Sequence, residues 1–328
     1  MPRLSVTLGL VLVMSLFVRA SPPLRRKPPA PKDNPTTPAK AALGKLLFFD
    51  KRMSLDGTVS CATCHDPRKG WTDQRPTAIG VRQQLGRRNT PTVLNAAYHE
   101  TQFWDGRAPS MEEQAKDPIS NPKEMGLTHD QAVARIAAVK GYERYFKDAF
   151  GDPTVTIERI VQAESSFQRT LLTGDSPYDR YVAGKRDALK TNAVRGLAIF
   201  NGKASCASCH SGPDMTDGRF HNVGAGMHRR VQDLGRYEVT KQDKDKGAFR
   251  TPPLRNLSDT FPYMHDGSLA TLEQVVEFFD RGGHPNPWLN SEIKPLRLSA
   301  EEKRDLLSFL VALNGDKVLV AEPQRLPQ

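Results

Sequence analysis

Apolar residues recur at helical spacing along most of this chain, and no run alternates cleanly between apolar and polar positions. Thr156–Leu172 and Ser299–Leu313 are the clearest amphipathic stretches, and in the second Leu306, Leu307, Phe309, Leu310 and Leu313 fall on one stripe. That periodicity predicts helices buried along one face. Thr128-x-x-Gln131, Thr271-x-x-Gln274 and Ser299-x-x-Glu302 read as capping boxes, in which two side chains satisfy backbone N–H groups that the first helical turn leaves unpaired. The segments Arg75–Pro91 and Thr251–Pro262, interrupted by proline, read as ordered loops wrapped around whatever the protein binds. The pattern predicts an all-α chain.

The N-terminus follows another pattern. Arg3, an apolar stretch from Leu8 to Val18 and a Val18-Arg19-Ala20 cleavage site make residues 1–20 a signal peptide. The stretch is short for a bilayer span, which leaves an uncleaved anchor as the alternative. Residues 21–40 hold seven prolines in twenty and predict an extended tether that belongs to no core.

Length and charge then narrow the class. The 328 residues suggest about two domains. A composition of 38% hydrophobic and 26% charged residues excludes a disordered chain and a multi-span membrane protein. The net charge of +10, or +8 once Arg3 and Arg19 leave with the signal, suits an acidic partner without selecting one, and no nucleic acid is expected.

The four cysteines carry the chemistry. They form CATCH at Cys61–His65 and CASCH at Cys206–His210, 145 residues apart. Each C-x-x-C-H is a haem c attachment signature: two thiols three positions apart reach the two vinyl groups of one porphyrin, and the next histidine lies under the iron. Zinc ligands usually cluster within ~12 to 20 residues, and a thioredoxin-type pair needs no adjacent histidine. A structural disulfide is the other alternative. The surroundings repeat too: Gly44–Phe48 and Gly196–Phe200 precede the motifs, and Thr72-Asp73 and Thr216-Asp217 follow them. A repeat of this length indicates duplicated domains. They divide near residue 185, into 41–185 and 186–328, and the last segment is able to pack back on the first domain.

Peroxide chemistry at a haem needs an open iron and an acid-base group above it, because a proton must move between the two peroxide oxygens. Gln102-Phe103-Trp104-Asp105-Gly106-Arg107 and Met111-Glu112-Glu113-Gln114 set acids beside aromatics between the motifs. On composition alone Glu112 reads as a solvated helix residue.

The segments RNTPTVLNAAY (Arg88–Tyr98), QFWDGRA (Gln102–Ala108), NPKEMG (Asn121–Gly126), FRTPPLRN (Phe249–Asn256) and PYMHDGSLATLEQVVEFF (Pro262–Phe279), with the two C-x-x-C-H motifs, resemble the bacterial di-haem cytochrome c peroxidase and MauG superfamily from about residue 40 to 315. The resemblance implies two cytochrome c-like domains, each with a covalent haem c. The N-terminal haem, on Cys61, Cys64 and His65, would be peroxidatic, with Glu112 as distal acid-base residue and Gln102 as distal glutamine. The C-terminal haem, on Cys206, Cys209 and His210, would transfer or store electrons. Asn89, Thr260 and Pro262 would bind a calcium ion between the domains, through oxygen ligands that suit a hard cation. The family implies a periplasmic enzyme that reduces hydrogen peroxide to water with electrons from a small protein such as a cytochrome c or cupredoxin.

Two departures matter. Family members that need reductive activation carry a histidine after the Ile-Gly pair; here Ile79-Gly80 is followed by Val81, which cannot ligate iron, so activity without prior reduction is expected. Fourteen residues after His265, where the family places an axial methionine or tyrosine, stands Phe279, which has no lone pair. Met264 is then the expected ligand of the second haem; its thioether would raise that haem's potential. Met125, in the NPKEMG motif, is expected to be structural. His265 is expected near the second haem, and His99, His129, His221, His228 and His284 to be solvated or loop-bonded. Trp71 and Trp104 both qualify as the tryptophan between the haems. The loss at Val81 also favours a second reading, MauG-like oxidation of a protein substrate. The third is a non-enzymatic di-haem electron carrier.

Overall fold

Among the described residues the chain forms eleven helices, the longer of them, such as those opened by Thr128 and Ser299, where apolar stripes and caps coincide. A computed structural model of the chain describes residues 27–328, so the signal-peptide segment and the start of the tether lie outside the described residues. In chain order the helices are α1 (Pro38–Phe49), α2 (Cys61–Cys64), α3 (Met111–Ser120), α4 (His129–Ala137), α5 (Glu143–Phe150), α6 (Ile157–Gln168), α7 (Pro177–Val182), α8 (Thr191–Asn201), α9 (Tyr237–Thr240), α10 (Leu272–Asp280) and α11 (Ala300–Val311). The strands β1 (Phe220–His221) and β2 (Phe249–Arg250) pair antiparallel, Phe220 opposite Arg250. The rest is loop and short 3-10 turn.

The caps form as the sequence predicts at Thr128 and Ser299, each with the reciprocal bond from residue N3. At Thr271 only half the box closes, because Gln274 Oε1 accepts the Ala270 N–H at 2.6 Å instead. On α11, Leu306, Phe309 and Leu310 are buried with Leu313 just beyond, while Leu307 is half-buried at the edge of the stripe.

The two halves are built on one device. In α1, Gly44 lies against the backbone of α6, where a β-carbon would collide with the Ala163 carbonyl; in α8, Gly196 lies in the same way against Asp305 of α11. Four residues on, Phe48 meets Phe167 edge-on at 5.3 Å, and Phe200 meets Phe309 at 5.0 Å. Residues i and i+4 share a helix face, so a glycine at the crossing fixes where the phenylalanine lands. The clusters that grow around the crossings include Leu43, Leu47, Ile160 and Val161 in the first half, and Leu197, Leu306 and Leu313 in the second.

Two expected boundaries move. The tether joins the fold early: Asn34 is 1% exposed, its Nδ2 donates to Glu112 Oε1 at 2.7 Å and to Gln162 O at 3.0 Å, and α1 starts at Pro38. Lys40 is buried beside it, with Nζ 3.0 Å from Asn34 Oδ1. The division near 185 also shifts upstream, because Tyr178 packs on Phe309 at 5.4 Å and donates its backbone N–H to Ala312 O. Helix α7 thus belongs to the second unit.

The seam is made by loops 85–107 and 214–267. Arg88 spans it, reaching Asp105 at 2.6 Å in the first half and Asp233 at 2.7 Å in the second. Asp214 of the second half receives His99 at 3.1 Å and Asn95 at 3.4 Å. His99 is half-buried there, its side chain 6% exposed and bonded to the Asp214 loop.

Replacing Gly44 or Gly196 with alanine should cost about 3 kcal/mol, because the added methyl meets backbone that cannot rotate away; chemical denaturation of each variant measures it. Asp233 gives a pH signature. Burial alone would raise its carboxyl, but the Arg88 bonds and charge win and hold it down to about 2 from 3.8. A depressed acid stabilises above its unfolded value and loses that contribution as pH falls through the folded one. Between pH 5 and pH 2 this group should therefore withdraw about 2 kcal/mol, and Asp233→Asn should lack that component in an acid-unfolding titration.

Candidate active site at the two C-x-x-C-H motifs

Each motif is a single helical turn that ends in its histidine. In the first, Ser60 and Thr63 close a capping box over α2, and the His65 N–H returns to Cys61 O at 2.9 Å. In the second, Cys206–Ser208 form a 3-10 turn and the His210 N–H returns to Cys206 O at 2.9 Å. The turn sets the two thiols and the imidazole on one side. All four cysteines are free and half-buried.

The histidines are prepared as ligands in the same way. His65 Nδ1 lies 3.1 Å from Trp71 O, and His210 Nδ1 lies 3.1 Å from Met215 O. A carbonyl can only accept, so Nδ1 carries the proton and Nε2 keeps its lone pair. Burial lowers both imidazoles, His210 to about 4, so both are neutral at pH 7. A neutral histidine with its outer nitrogen tied to a carbonyl is how proteins hold a metal-binding imidazole.

Acids crowd the first motif. Burial, followed by the charges of Asp73 and Glu124, pushes the Cys64 thiol up to about 12. Burial raises Glu124 too, helped by Asp117 and opposed by Arg107 and Asn121, whose Nδ2 donates to Glu124 Oε1 at 2.7 Å. The 121–126 turn that presents Glu124 packs on the Ile79-Gly80-Val81 loop: Val81 N–H donates to Glu124 O at 2.8 Å, and a side chain at Gly80 would strike Lys123 O. Val81 is fully buried in the apolar cluster with Met125 and Leu127. On the other side Glu164 of α6, 1% exposed, accepts from the Cys61 thiol at 3.6 Å, and burial raises it to about 8.

The expected distal residues have other partners. Glu112 sits in the first turn of α3 and pairs with Arg169 at 2.7 Å and with Asn34. Gln102 Nε2 donates to Ala96 O at 3.1 Å and braces the 96–99 turn. The signal that could have found Glu124 was the NPKEMG motif read together with Gly80, since that glycine demands a close backbone neighbour.

Two buried cations fit an anionic group. Arg169 Nε and Nη1 and Arg250 Nη1 have no hydrogen-bond partner, a costly state for guanidinium nitrogens. Carboxylates of a porphyrin would complement them. Cys209, Asp217 and His221 offer ligand atoms within 4.8 Å of one another, but thioether formation would remove Cys209 from that set.

The remaining expected residues lie at the seam. Asn89 donates its N–H to His265 O at 2.7 Å and its Nδ2 to Arg75 O at 2.8 Å, and accepts from Trp104 Nε1 at 2.9 Å. Gln74 reaches Asp259 O at 3.1 Å, so the loop holding Thr260 and Pro262 faces the first half. Met264 is half-buried on that loop with φ +71. Its neighbour His265 is buried and stacks on Phe249 at 3.6 Å. Phe279 is half-buried near the end of α10. Trp71 lies inside the first unit, whereas Trp104 lies at the seam, 6.5 Å from His265.

Comparison with known proteins places the chain in a family. The family described as di-haem cytochrome c peroxidase matches residues 38–187. The methylamine utilization protein MauG of Methylorubrum extorquens is 44% identical over 299 residues, covering 90% of this chain and 84% of that protein. Cytochrome c551 peroxidase of Nitrosomonas europaea is 38% identical over 316 residues, covering 96% and 90%. The solved structure of a MauG-like protein associated with microbial copper homeostasis superposes with a TM-score of 0.83 at 33% identity, over 89% of this chain and 94% of that one. The protein is an oxidoreductase of the peroxidase class. The chain belongs to the di-haem cytochrome c peroxidase and MauG family, which implies haem cofactors.

Proposed function

We propose that this protein reduces hydrogen peroxide to water with two covalent haems c, one on Cys61, Cys64 and His65 and one on Cys206, Cys209 and His210. They would lie in two cytochrome c-like units that divide just ahead of α7. When bound, each haem supplies an iron that exchanges one electron at a time. Peroxide consumes two electrons and two protons, so two haems and a proton-moving side chain meet the stoichiometry without a further redox group.

The observation that carries the reading is the raised carboxyl of Glu124 near the first motif, on a turn braced by a loop in which Val81 replaces a ligating side chain. An acid whose proton affinity is raised by burial is better suited to take and return a proton. Glu124 is therefore proposed for the role expected of Glu112, whose Oε1 is held by Arg169 and Asn34 and whose Oε2 is buried without a partner. Gln102 holds a turn rather than substrate. Val81 supports activity without prior reduction. Arg169 and Arg250 would meet the haem carboxylates.

At the seam, Asn89 with the carbonyls of Thr260 and Pro262 would hold calcium. Met264 remains the proposed iron ligand of the second haem, since Phe279 offers none. The compartment would be the periplasm and the donor a small cytochrome c or cupredoxin. The 44% identity to MauG keeps a second reading, oxidation of a protein substrate.

Adding peroxide to the ferric protein should change the Soret spectrum within the mixing time. Glu124→Gln should slow that change by ~10²- to 10⁴-fold, and Glu112→Gln should leave it near the wild-type rate. A wild-type rate in Glu124→Gln would remove it from the mechanism. Small reduced donors and candidate protein substrates, tested as the species consumed, separate the two enzymatic readings. Met264→Ala should abolish the near-infrared and EPR signature of methionine ligation at the second haem; an unaltered spectrum would exclude Met264.

A further inference from the structure

We propose that the C-terminal strap, which follows the last helix of the second unit, sets the proximal geometry of His65 in the first unit, with Trp71 as the positioning residue between them. This rests on the reading of His65 as an iron ligand.

After α11 ends at Val311 the chain crosses to the other half. Asp316 N–H donates to Gly174 O at 3.0 Å, and Asp316 O accepts from Thr173 Oγ1 at 2.9 Å. Val318 and Val320 then turn inward onto the cluster of Phe48, Trp71 and Phe167, while Leu319 between them is 67% exposed. The strap is fastened again at its end, where Gly141 N–H donates to Gln328 O at 2.7 Å.

Its one polar contact inside that cluster is specific. Val318 O takes the indole N–H of Trp71 at 2.7 Å. Trp71 is 1% exposed and has φ +62, a left-handed conformation that is unusual for so large a side chain. Such a backbone persists only where its surroundings hold it. The carbonyl of this same residue accepts the His65 Nδ1–H at 3.1 Å. Two hydrogen bonds in series therefore lead from the strap to the imidazole.

The second unit supplies an internal control. Met215 also has a positive φ, +56, and its carbonyl serves His210 in the same way. Its thioether has no N–H to offer and packs in its own unit's core. Only the first histidine is tuned from across the seam. A bond from Nδ1–H to a carbonyl makes the imidazole a stronger donor to the metal and favours its oxidised state. Loosening Trp71 should raise the potential of the first haem and leave the second alone.

Two variants of the holoprotein, one full-length and one shortened at its C-terminus, test this. Trp71→Phe keeps an aromatic ring and deletes the N–H. A stop after Asp316 removes the Val318 carbonyl without touching Trp71. A pyridine haemochrome assay first counts haem: fewer than two per chain in the wild type overturns the haem assignment itself. With two haems present, EPR-monitored redox titration and the iron–histidine Raman band are read for each centre. An upward potential shift and a lower band frequency at the first haem only, in both variants and absent in Leu319→Ala, is the expected result. No shift, or equal shifts at both haems, overturns the role of the strap while leaving the haem assignment standing.

Discussion

Two helix pairs that touch backbone to backbone at a glycine carry the rest of this molecule. Gly44 and Gly196 allow α1 to meet α6 and α8 to meet α11 at a separation no side chain would permit. From that contact the positions of Phe48 and Phe200 follow by one turn of helix, and with them the apolar wall behind each motif. Phe48 lies 6.3 Å from the His65 ring. A shift at the crossing would pass through close-packed side chains to the ligand, because protein interiors deform little. Fold and chemistry are thus coupled at two glycines that make no polar contact with either site.

Much of this was legible in the sequence, for identifiable reasons. C-x-x-C-H states its geometry locally: the turn, the thiol spacing and the histidine lie within five residues, so no long-range packing could alter them. The helices were legible because their caps and apolar stripes agree, as at Ser299 and Phe309. What could not be read was depth and partnership. Asn34 lies in a proline-rich stretch that looks like tether, yet its amide is needed by Glu112 and by α6. The repeat suggested two units, and motif spacing is blind to the packing of Tyr178, ahead of the suggested border, on Phe309 of α11. Spacing likewise could not say which acid of α3 or the following turn lies near Cys64. That depends on a loop contact through Gly80, forty residues upstream.

Duplication supplied two equivalent ligand turns, and their surroundings then diverged. The first gathers Asp73, Glu124 and Glu164, all raised by burial, Glu164 to about 8. The second has His221, raised to about 9 by Cys209 and then Asp217, with Asp217 at 2.8 Å and Asn290 at 2.9 Å. Buried carboxyls gather at one centre, and an imidazole–carboxylate pair stands at the other. This asymmetry is what a division between a reacting haem and an electron-storing haem would require.

The seam explains how such unlike centres can work as one. In the proposed division electrons would cross it, whereas protons would need only to reach the first motif, so a rigid border would serve the first and not obstruct the second. Arg88 grips an acid on each side, and Trp104 bonds Asn89 while lying edge-on to His265. Buried ion pairs of this kind add little net stability, because desolvation offsets their attraction, but breaking one partner leaves a charge stranded. Their effect is therefore to penalise every relative placement of the two units but one. Glu124 stands outside this border, on a turn held by Asn121 and the Gly80 loop, so the proposed proton donor and the proposed electron path would rest on separate contacts.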